Sequence, residues 1–233
     1  MCIRDRFKGG KKNKVGTPQG GVISPLLANI YLHLLDRIVN NPKSLFARAG
    51  VKIVRYADDF VMMGKQIGTQ IKDQLKSLLS RMGLCLNEEK TRTVEAKRES
   101  FDFLGFTIRY DKDLRDSNKR YWNIIPSRKS EQKIRDKIKA YLEAHGHYNG
   151  KRVSEDLNKL LRGWLNYFDI KGVSYPAVSK RRLRHYLQDR LNRYYNHKSH
   201  RKCRLYGQRA FEALVEKYGL IDPTKYSSGG VRL

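Results

Sequence analysis

Hydrophobic residues recur with a helical period in the first part of the chain. Between residues 24 and 39 apolar side chains return every three or four positions, with Ser24 placed to cap a helix and Pro25 in its first turn. Because this helix is apolar over most of its circumference, we expect it to be deeply packed. A second amphipathic helix is predicted over 69–82, ending at Gly83.

Strands are predicted where β-branched and aromatic residues dominate. The segment VKIVRYADDFVMMG, residues 51–64, predicts two short strands joined at a turn, and therefore a hairpin. Four more segments are predicted to be strands: LCLN, TRTVEA, FDFLGFTIRY and RYWNIIP. After Pro126 the pattern changes to three basic amphipathic helices and one further short helix. The sequence thus predicts an α+β region followed by an all-helical one.

The net charge of the chain indicates what kind of partner it binds. The chain has 233 residues, of which 39% are hydrophobic, so it can form real cores. Its 49 Lys and Arg against 23 Asp and Glu give a net charge of +26, which favours a polyanionic partner, with nucleic acid first. Binding to a membrane surface is the weaker alternative, since no apolar run reaches the about 18 residues that a spanning helix needs.

Cysteine usage and the N-terminal sequence favour a cytoplasmic protein. The three cysteines, Cys2, Cys85 and Cys203, stand far apart without CxxC spacing, which argues against a disulfide framework or a zinc site. The chain shows no signal peptide with an apolar core. The opening MCIRDR matches nothing downstream in pattern, and Asp5 within it has no apolar strand around it.

The first candidate for chemistry is the pair Asp58 and Asp59 inside an apolar hairpin. A strand of this composition should be mostly buried, and burying charge without a partner is costly, so we expect a cation beside the pair. Mg²⁺ is the natural candidate, because it is bound by one or two carboxylates together with substrate phosphates and water. Side chains alternate along a strand, so one aspartate would be the principal ligand and the other secondary. The alternative is an ordinary surface turn, in which Asp is common.

Four blocks in order carry a family resemblance. GTPQGGVISPLLANIYLHLLD, YADDF, GLCLNEEKT and FDFLGF resemble the reverse transcriptases encoded within group II introns, and RGWLNYF resembles their thumb or maturase domain. The resemblance covers about residues 15–195. Other reverse transcriptases with a YADD box, such as retron enzymes, usually have a different block after Pro-Gln-Gly, so GGVISPLLANIYL favours the intron type.

The resemblance implies roles for individual residues. Asp58 would be the main metal ligand with Asp59 as its helper, and Lys90 would lie near the triphosphate, where an ammonium can stabilise or protonate the leaving group. Outside the family context, Lys90 is simply a surface charge. Residues against the nascent base pair or template would be Pro18, Gln19, Gly20, Tyr56 and Ala57. The primer grip would be formed by Phe103, Leu104 and Gly105.

The basic helices are predicted to bind RNA. Aromatic residues among arginines suit stacking and phosphate contacts, although Trp164 is expected in the helical core. In the segment KRRLR, residues 180–184, we expect that the four basic side chains cannot all be paired within the protein. The predicted RNA-binding residues are Lys180, Arg181, Arg182, Arg184, Arg190 and Arg193.

The resemblance also implies a domain organisation. It predicts a read-in or basic lead segment over 1–14, a partial reverse-transcriptase palm over 15–125, a helical thumb or maturase domain over 126–198, and a basic tail with one short helix over 199–233. In this family the two-metal Mg²⁺ site is completed by an upstream aspartate that precedes these blocks, as do the fingers. We therefore expect a truncated chain that is inactive, or nearly so, in primer extension.

The function implied is that of an RNA-directed DNA polymerase and splicing maturase of a mobile intron. Its partners would be group II intron RNA, an RNA template with a DNA primer, and deoxynucleoside triphosphates, with no membrane. One alternative is a non-catalytic RNA-binding module that assists intron folding and splicing. Another is a structural or antiphage role built on the same palm. The sequence leaves open whether the chain forms a homodimer.

Overall fold

The computed structural model describes residues 22–113, 116, 118–197, 205, 207 and 209–227. The chain divides into two compact units between Thr93 and Val94. The predicted lead segment over 1–14 and the residues Pro18, Gln19 and Gly20 lie outside the described residues.

The first unit packs three helices against a two-stranded hairpin. Its elements are α1 (Ser24–Val39), α2 (Leu45–Arg48), β1 (Lys52–Tyr56), β2 (Asp59–Met63) and α3 (Thr69–Arg81). The strands are antiparallel, as the hairpin pattern predicts. The core of this unit is formed by Leu35, Val39, Phe46, Val51, Ile71, Leu75, Leu78, Leu79 and Met82.

Helix α1 is less deeply packed than its composition predicts. Its Leu32, Leu35 and Val39 are buried, but Leu26 and Ile30 on another stripe are 60% and 63% exposed. The expectation of a helix buried on most sides is therefore wrong for the described part of the chain. Only one stripe meets the small core of the first unit, because a hairpin and two other helices cannot surround the helix.

The second unit combines a three-stranded antiparallel sheet with four helices. The strands β3 (Phe101–Phe103), β4 (Phe106–Lys112) and β5 (Arg120–Pro126) lie in the order β3-β4-β5. Helices α4 (Arg128–Ala144), α5 (Gly150–Phe168), α6 (Ala177–His197) and α7 (Ala210–Tyr218) follow. The bundle core is formed by apolar residues at helical spacing, among them Ile138, Leu157, Leu161, Leu165, Leu187, Leu191 and Leu214.

Three of the predicted strands differ from the structure. LCLN and TRTVEA form turns and irregular chain, and the Asn87 side chain accepts a hydrogen bond from the Lys90 amide at 3.1 Å, a local contact that competes with strand pairing. FDFLGFTIRY forms two strands rather than one, because the chain reverses at Leu104 and Gly105.

The predicted fold class is confirmed: small antiparallel sheets with packed helices are followed by a helical region. The helices predicted after Pro126 are present, and α5 begins earlier than its apolar pattern indicates, at Gly150. Ser127 and Asn149 cap α4 and α5 through their side chains. Within the described residues, no helix combines the length and apolarity required to cross a membrane.

Candidate functional site

The two aspartates lie at the tip of the β1–β2 hairpin. Tyr56 pairs with Asp59 across the strands, so Ala57 and Asp58 form a two-residue turn. Ala57 has φ 52°, in the left-handed region that costs a non-glycine residue about 1–2 kcal/mol. Such turns match the twist of a hairpin but normally use Gly or Asn. The strained conformation of Ala57 places Asp58 in the turn itself.

Arg55 fastens this tip to helix α1. Its guanidinium donates to both carboxylate oxygens of Asp36, with Nε–Oδ1 3.0 Å and Nη2–Oδ2 2.6 Å. Its Nη1 donates to the side-chain oxygen of Asn29 at 2.9 Å and to the carbonyl of Ala57 at 2.8 Å. The hydrogen bond with Asp36 raises the pKa of Arg55. The Arg55 side chain thus links the backbone of the hairpin turn to Asn29 and Asp36, which lie two helical turns apart on α1.

A cationic side chain does lie at the hairpin, but Arg55 pairs with Asp36, a carboxylate that the sequence analysis did not single out. The predicted Mg²⁺ beside Asp58 and Asp59 stays a prediction. Arg55 engages Asp36, while Asp58 and Asp59 are exposed. The strand is also less buried than predicted, since Tyr56 is 67% exposed. Sequence reasoning missed this contact, although Asn29 and Asp36 stand seven residues apart, which puts them on one face of a helix.

The chemistry of the tip suits a hard cation such as Mg²⁺. Asp58 and Asp59 offer carboxylate oxygens, the ligands that Mg²⁺ prefers, and their exposure leaves room for water and substrate phosphates. In the described part of the chain, no group of three or more His, Cys, Asp or Glu side chains could hold a metal. The two aspartates are thus suited to form part of a metal site.

The predicted triphosphate residue, Lys90, lies in an exposed turn of the same unit. The turn is closed by Asn87, whose backbone carbonyl accepts from the amide of Thr91 at 2.9 Å. The role of Lys90 at the leaving group of the triphosphate stays a prediction. The metal-binding roles of Asp58 and Asp59 and the template roles of Tyr56 and Ala57 also stay predictions.

The predicted primer-grip residues form the second strained turn. Phe103 pairs with Phe106, so Leu104 and Gly105 make a two-residue turn with φ 49° and 80°. Ala57 and Leu104 are the two non-glycine residues with positive φ in the described part of the chain, and each falls in a motif predicted to be functional. Strain of this kind is typical of functional sites whose surroundings hold it in place.

Three contacts from the helices hold the Leu104–Gly105 turn. The carbonyl of Gly105 accepts from the amide of Ser127 and from the hydroxyl of Ser130, both at 2.8 Å. The hydroxyl of Tyr167, at the end of α5, donates to the carbonyl of Leu104 at 2.9 Å. The predicted primer grip is therefore fixed to the N-terminus of α4 and the C-terminus of α5.

The basic residues of α6 are more engaged within the protein than their density predicts. Lys180 is only 9% exposed and binds Asp169 at 2.6 Å. Arg182 lies 3.5 Å from Glu131, and Arg184 lies 3.4 Å from Asp222. Three of the four basic residues in KRRLR thus lie within ion-pair distance of a carboxylate, while Arg181 has no ion pair with the described residues. The four are therefore not all paired internally, as expected, but fewer cations remain than the density of the segment indicates.

The other predicted RNA-binding residues of α6 also include both paired and exposed side chains. Arg190 binds Glu143 at 2.6 Å, whereas Arg181 and Arg193 are exposed and have no ion pair with the described residues. RNA binding by the whole set stays a prediction, and Arg181 and Arg193 are its best-placed members. Trp164 is 9% exposed in the bundle core, as the sequence predicts.

Comparison with family models identifies the class of protein. Residues 2–108 match the family described as reverse transcriptase (RNA-dependent DNA polymerase), and residues 131–211 match the maturase-specific domain of group II introns. The chain therefore carries a reverse-transcriptase domain followed by a maturase domain. It belongs to the reverse transcriptase/maturase proteins encoded by group II introns, as the sequence blocks predict.

Curated relatives agree with this family. The chain is 30% identical to the group II intron-encoded protein LtrA of Lactococcus lactis subsp. cremoris, over 42% of this chain and 26% of that protein. It is 27% identical to an uncharacterized 91 kDa protein in the cob intron of Schizosaccharomyces pombe, over 45% of this chain and 20% of that protein. It is 32% identical to protein YkfC of Escherichia coli, over 40% of this chain and 32% of that protein. The chain thus spans about a fifth to a third of the length of these relatives.

Proposed function

We propose that this chain forms the palm and thumb part of an RNA-directed DNA polymerase that also binds group II intron RNA as a maturase. The observation that supports it most directly is the YADD hairpin tip, where a strained turn fastened by Arg55 presents Asp58 and Asp59 inside a reverse-transcriptase domain. The maturase domain and the net charge of +26 support RNA binding by the same chain.

In the proposed reaction, Asp58 is the principal Mg²⁺ ligand and Asp59 the secondary one. Bound Mg²⁺ would activate a primer 3′-hydroxyl and neutralise the leaving pyrophosphate. Arg55 acts as a positioning residue, because it holds the Ala57 carbonyl and so the orientation of the turn. The Leu104–Gly105 turn lies against the primer backbone, and its three helix contacts fix its conformation.

Two carboxylates do not complete a two-metal site. Since no group of three acidic, His or Cys ligands exists among the described residues, we propose that this chain supplies only part of the polymerase centre. The 233-residue chain alone is then expected to show background activity in primer extension. Robust DNA synthesis by the chain that depends on Asp58 would contradict this.

Metal binding at the tip can be tested without activity. Mn²⁺ added in place of Mg²⁺ should broaden the backbone NMR signals of residues 57–60, and Asp58→Asn should abolish that broadening. Asp73→Asn, an exposed acid on α3 of the same unit, is the matched control and should leave the broadening unchanged. Equal broadening in the wild type and in Asp58→Asn would refute a metal role for Asp58.

The second candidate function is a non-catalytic RNA-binding module that assists splicing, which the maturase domain favours. Both functions predict RNA affinity that falls steeply with salt, with a log–log slope of about −0.7 for each phosphate contact on a single strand. Asp58→Asn separates them. Loss of intron mobility with retained splicing would support the polymerase, and no effect on either would support the module.

A further inference from the structure

The sheet of the second unit presents an aromatic pair that none of the assigned roles uses. Tyr110 of β4 and Trp122 of β5 are directly opposite in the antiparallel register. Their rings lie 4.9 Å apart between centroids, with an interplanar angle of 44°. Trp122 is 45% exposed, whereas Trp164, the other tryptophan, is 9% exposed in the bundle core. A large aromatic surface therefore remains accessible on this sheet.

The same sheet face is closed at one end and open at the other. Residues two apart on a strand share a face, so Phe106 and Tyr110 point the same way. Phe106 packs against Phe168 of α5, with ring centroids 4.9 Å apart. The pair Tyr110–Trp122 lies further along the strands, beyond that helix contact. The helices thus bury one end of the face and leave the aromatic pair at the other.

Basic side chains lie next to the aromatic pair, at the open end of this face. Lys112 and Arg120 form the next cross-strand pair on the same face, and both are exposed. The guanidinium carbon of Arg120 lies 5.8 Å from the centroid of the Tyr110 ring, within cation–π range. In the described part of the chain neither Lys112 nor Arg120 has an ion pair with a carboxylate. The aromatic surface is thus bordered by two positive charges.

The acid between Tyr110 and Lys112 along β4 belongs to the opposite face. Asp111 alternates with Tyr110 and Lys112, and its carboxylate binds Arg109 at 2.7 Å and the side-chain amide of Asn123 at 2.7 Å. These contacts engage Asp111 on its own side of the sheet. The Tyr110–Trp122 face therefore combines the exposed ring of Trp122 and the half-buried ring of Tyr110 with two cations that have no ion pair among the described residues.

We infer that the Tyr110–Trp122 face is a stacking site for unpaired RNA bases, with Lys112 and Arg120 contacting the adjoining phosphates. Aromatic platforms bordered by basic side chains suit single-stranded nucleic acid, because each base offers a face to stack and each phosphate a negative charge. Charge complementarity favours RNA over an apolar protein partner, which would leave both cations without compensation. This inference rests on the proposed RNA-binding function and adds a site outside the α6 residues assigned from sequence.

The chain provides its own probe for the test. With Trp164→Phe, Trp122 is the sole tryptophan and reports on this face alone. An unstructured 12-nucleotide oligoribonucleotide should quench Trp122 emission, and the quenching should saturate at the same concentration as the anisotropy of the labelled RNA. Trp122→Ala should weaken binding of this RNA about tenfold, whereas Trp122→Phe should largely retain it, because it keeps a ring that can stack.

Tyr175→Ala is the control, because Tyr175 is 49% exposed and its ring packs on Tyr121, whose side chain lies on the opposite face of the sheet from Trp122. Affinity equal to wild type is expected for it. RNA binding by anisotropy without any change in Trp122 emission, and with Trp122→Ala as tight as wild type, would overturn the stacking site and leave the proposed function standing. Absence of RNA binding in every variant and in the wild type would overturn both. A duplex oligonucleotide that quenches Trp122 as strongly as the single strand would overturn the preference for unpaired bases.

Discussion

The hydroxyl of Tyr167 donates a 2.9 Å hydrogen bond to the backbone carbonyl of Leu104, a residue held at φ 49°. The two residues are 63 positions apart, and Tyr167 belongs to the RGWLNYF segment of α5 while Leu104 belongs to FDFLGF. The Tyr167 ring also stacks on Phe106 at 5.6 Å between centroids. Two segments that sequence analysis treated as separate motifs therefore form one contact.

Tyr167→Phe should loosen the Leu104–Gly105 turn without unfolding the unit. The variant keeps the ring that stacks on Phe106 and removes only the hydroxyl, whose hydrogen bond is worth about 1 kcal/mol. Amide hydrogen exchange over residues 103–106 should become faster, while the bundle core should exchange as in the wild type. Tyr175→Phe is the control, and equal exchange of the turn in all three proteins would show that Tyr167 does not hold it.

Two glycines should respond to alanine in opposite directions. A Cβ at Gly105 would lie 2.9 Å from the Ser130 hydroxyl, and φ of 80° is unfavourable for alanine, so Gly105→Ala should destabilise the unit by about 1–2 kcal/mol. Gly163 lies within α5 and a Cβ there meets nothing within 4 Å, so Gly163→Ala should stabilise by up to about 1 kcal/mol. Urea denaturation followed by circular dichroism measures both. Shifts of the same sign would contradict the turn geometry.

Arg55→Met should destabilise the YADD hairpin by about 2 kcal/mol. The Arg55 and Asp36 side chains are 11% and 25% exposed, and removing the guanidinium leaves the carboxylate of Asp36 largely desolvated without its cation. Hydrogen exchange of peptides covering residues 52–63 should become faster. Lys76→Met provides the control, because its pair with Glu88 is mostly exposed, at 57% and 79%, and should contribute little. Similar effects in both variants would argue against a special role for Arg55.

Local periodicity predicted much of this fold correctly. The helices after Pro126 and the hairpin with Asp58 and Asp59 near its turn follow from spacing within a dozen residues. The Leu104 turn was missed because an apolar residue stands where such turns normally have Asn or Gly, so FDFLGFTIRY has the pattern of one strand. The hydrogen bond from Tyr167 that stabilises this strained turn comes from a helix 63 positions away, so the local sequence pattern does not indicate it.

The partners of charged residues were the least predictable feature. Lys180 and Arg184 meet Asp169 and Asp222, and only the packed bundle brings these groups together. Charge density along α6 therefore overestimates how many cations remain for RNA. The Arg55 contact could have been found, because Asn29 and Asp36 share a face of α1, a long helix that precedes the YADD hairpin.

Neighbouring residues of α6 should separate stability from RNA binding. Lys180→Met removes the partner of Asp169 and a hydrogen bond to the Tyr226 carbonyl at 2.9 Å, so it should lower the free energy of unfolding by about 3 kcal/mol. Arg181→Met changes an exposed side chain without an ion pair to the described residues, so the melting temperature should stay within a degree or two.

The same two variants should differ in the opposite sense when RNA binding is measured. If Arg181 contacts one phosphate, Arg181→Met should reduce the steepness of the log–log salt dependence by about 0.7 on single-stranded RNA. Lys180→Met, compared at a temperature where it is fully folded, should keep the wild-type slope, because the ammonium of Lys180 is already bound to Asp169. An unchanged slope in Arg181→Met would exclude a phosphate contact there. A reduced slope in folded Lys180→Met would show that RNA displaces Asp169 from the lysine.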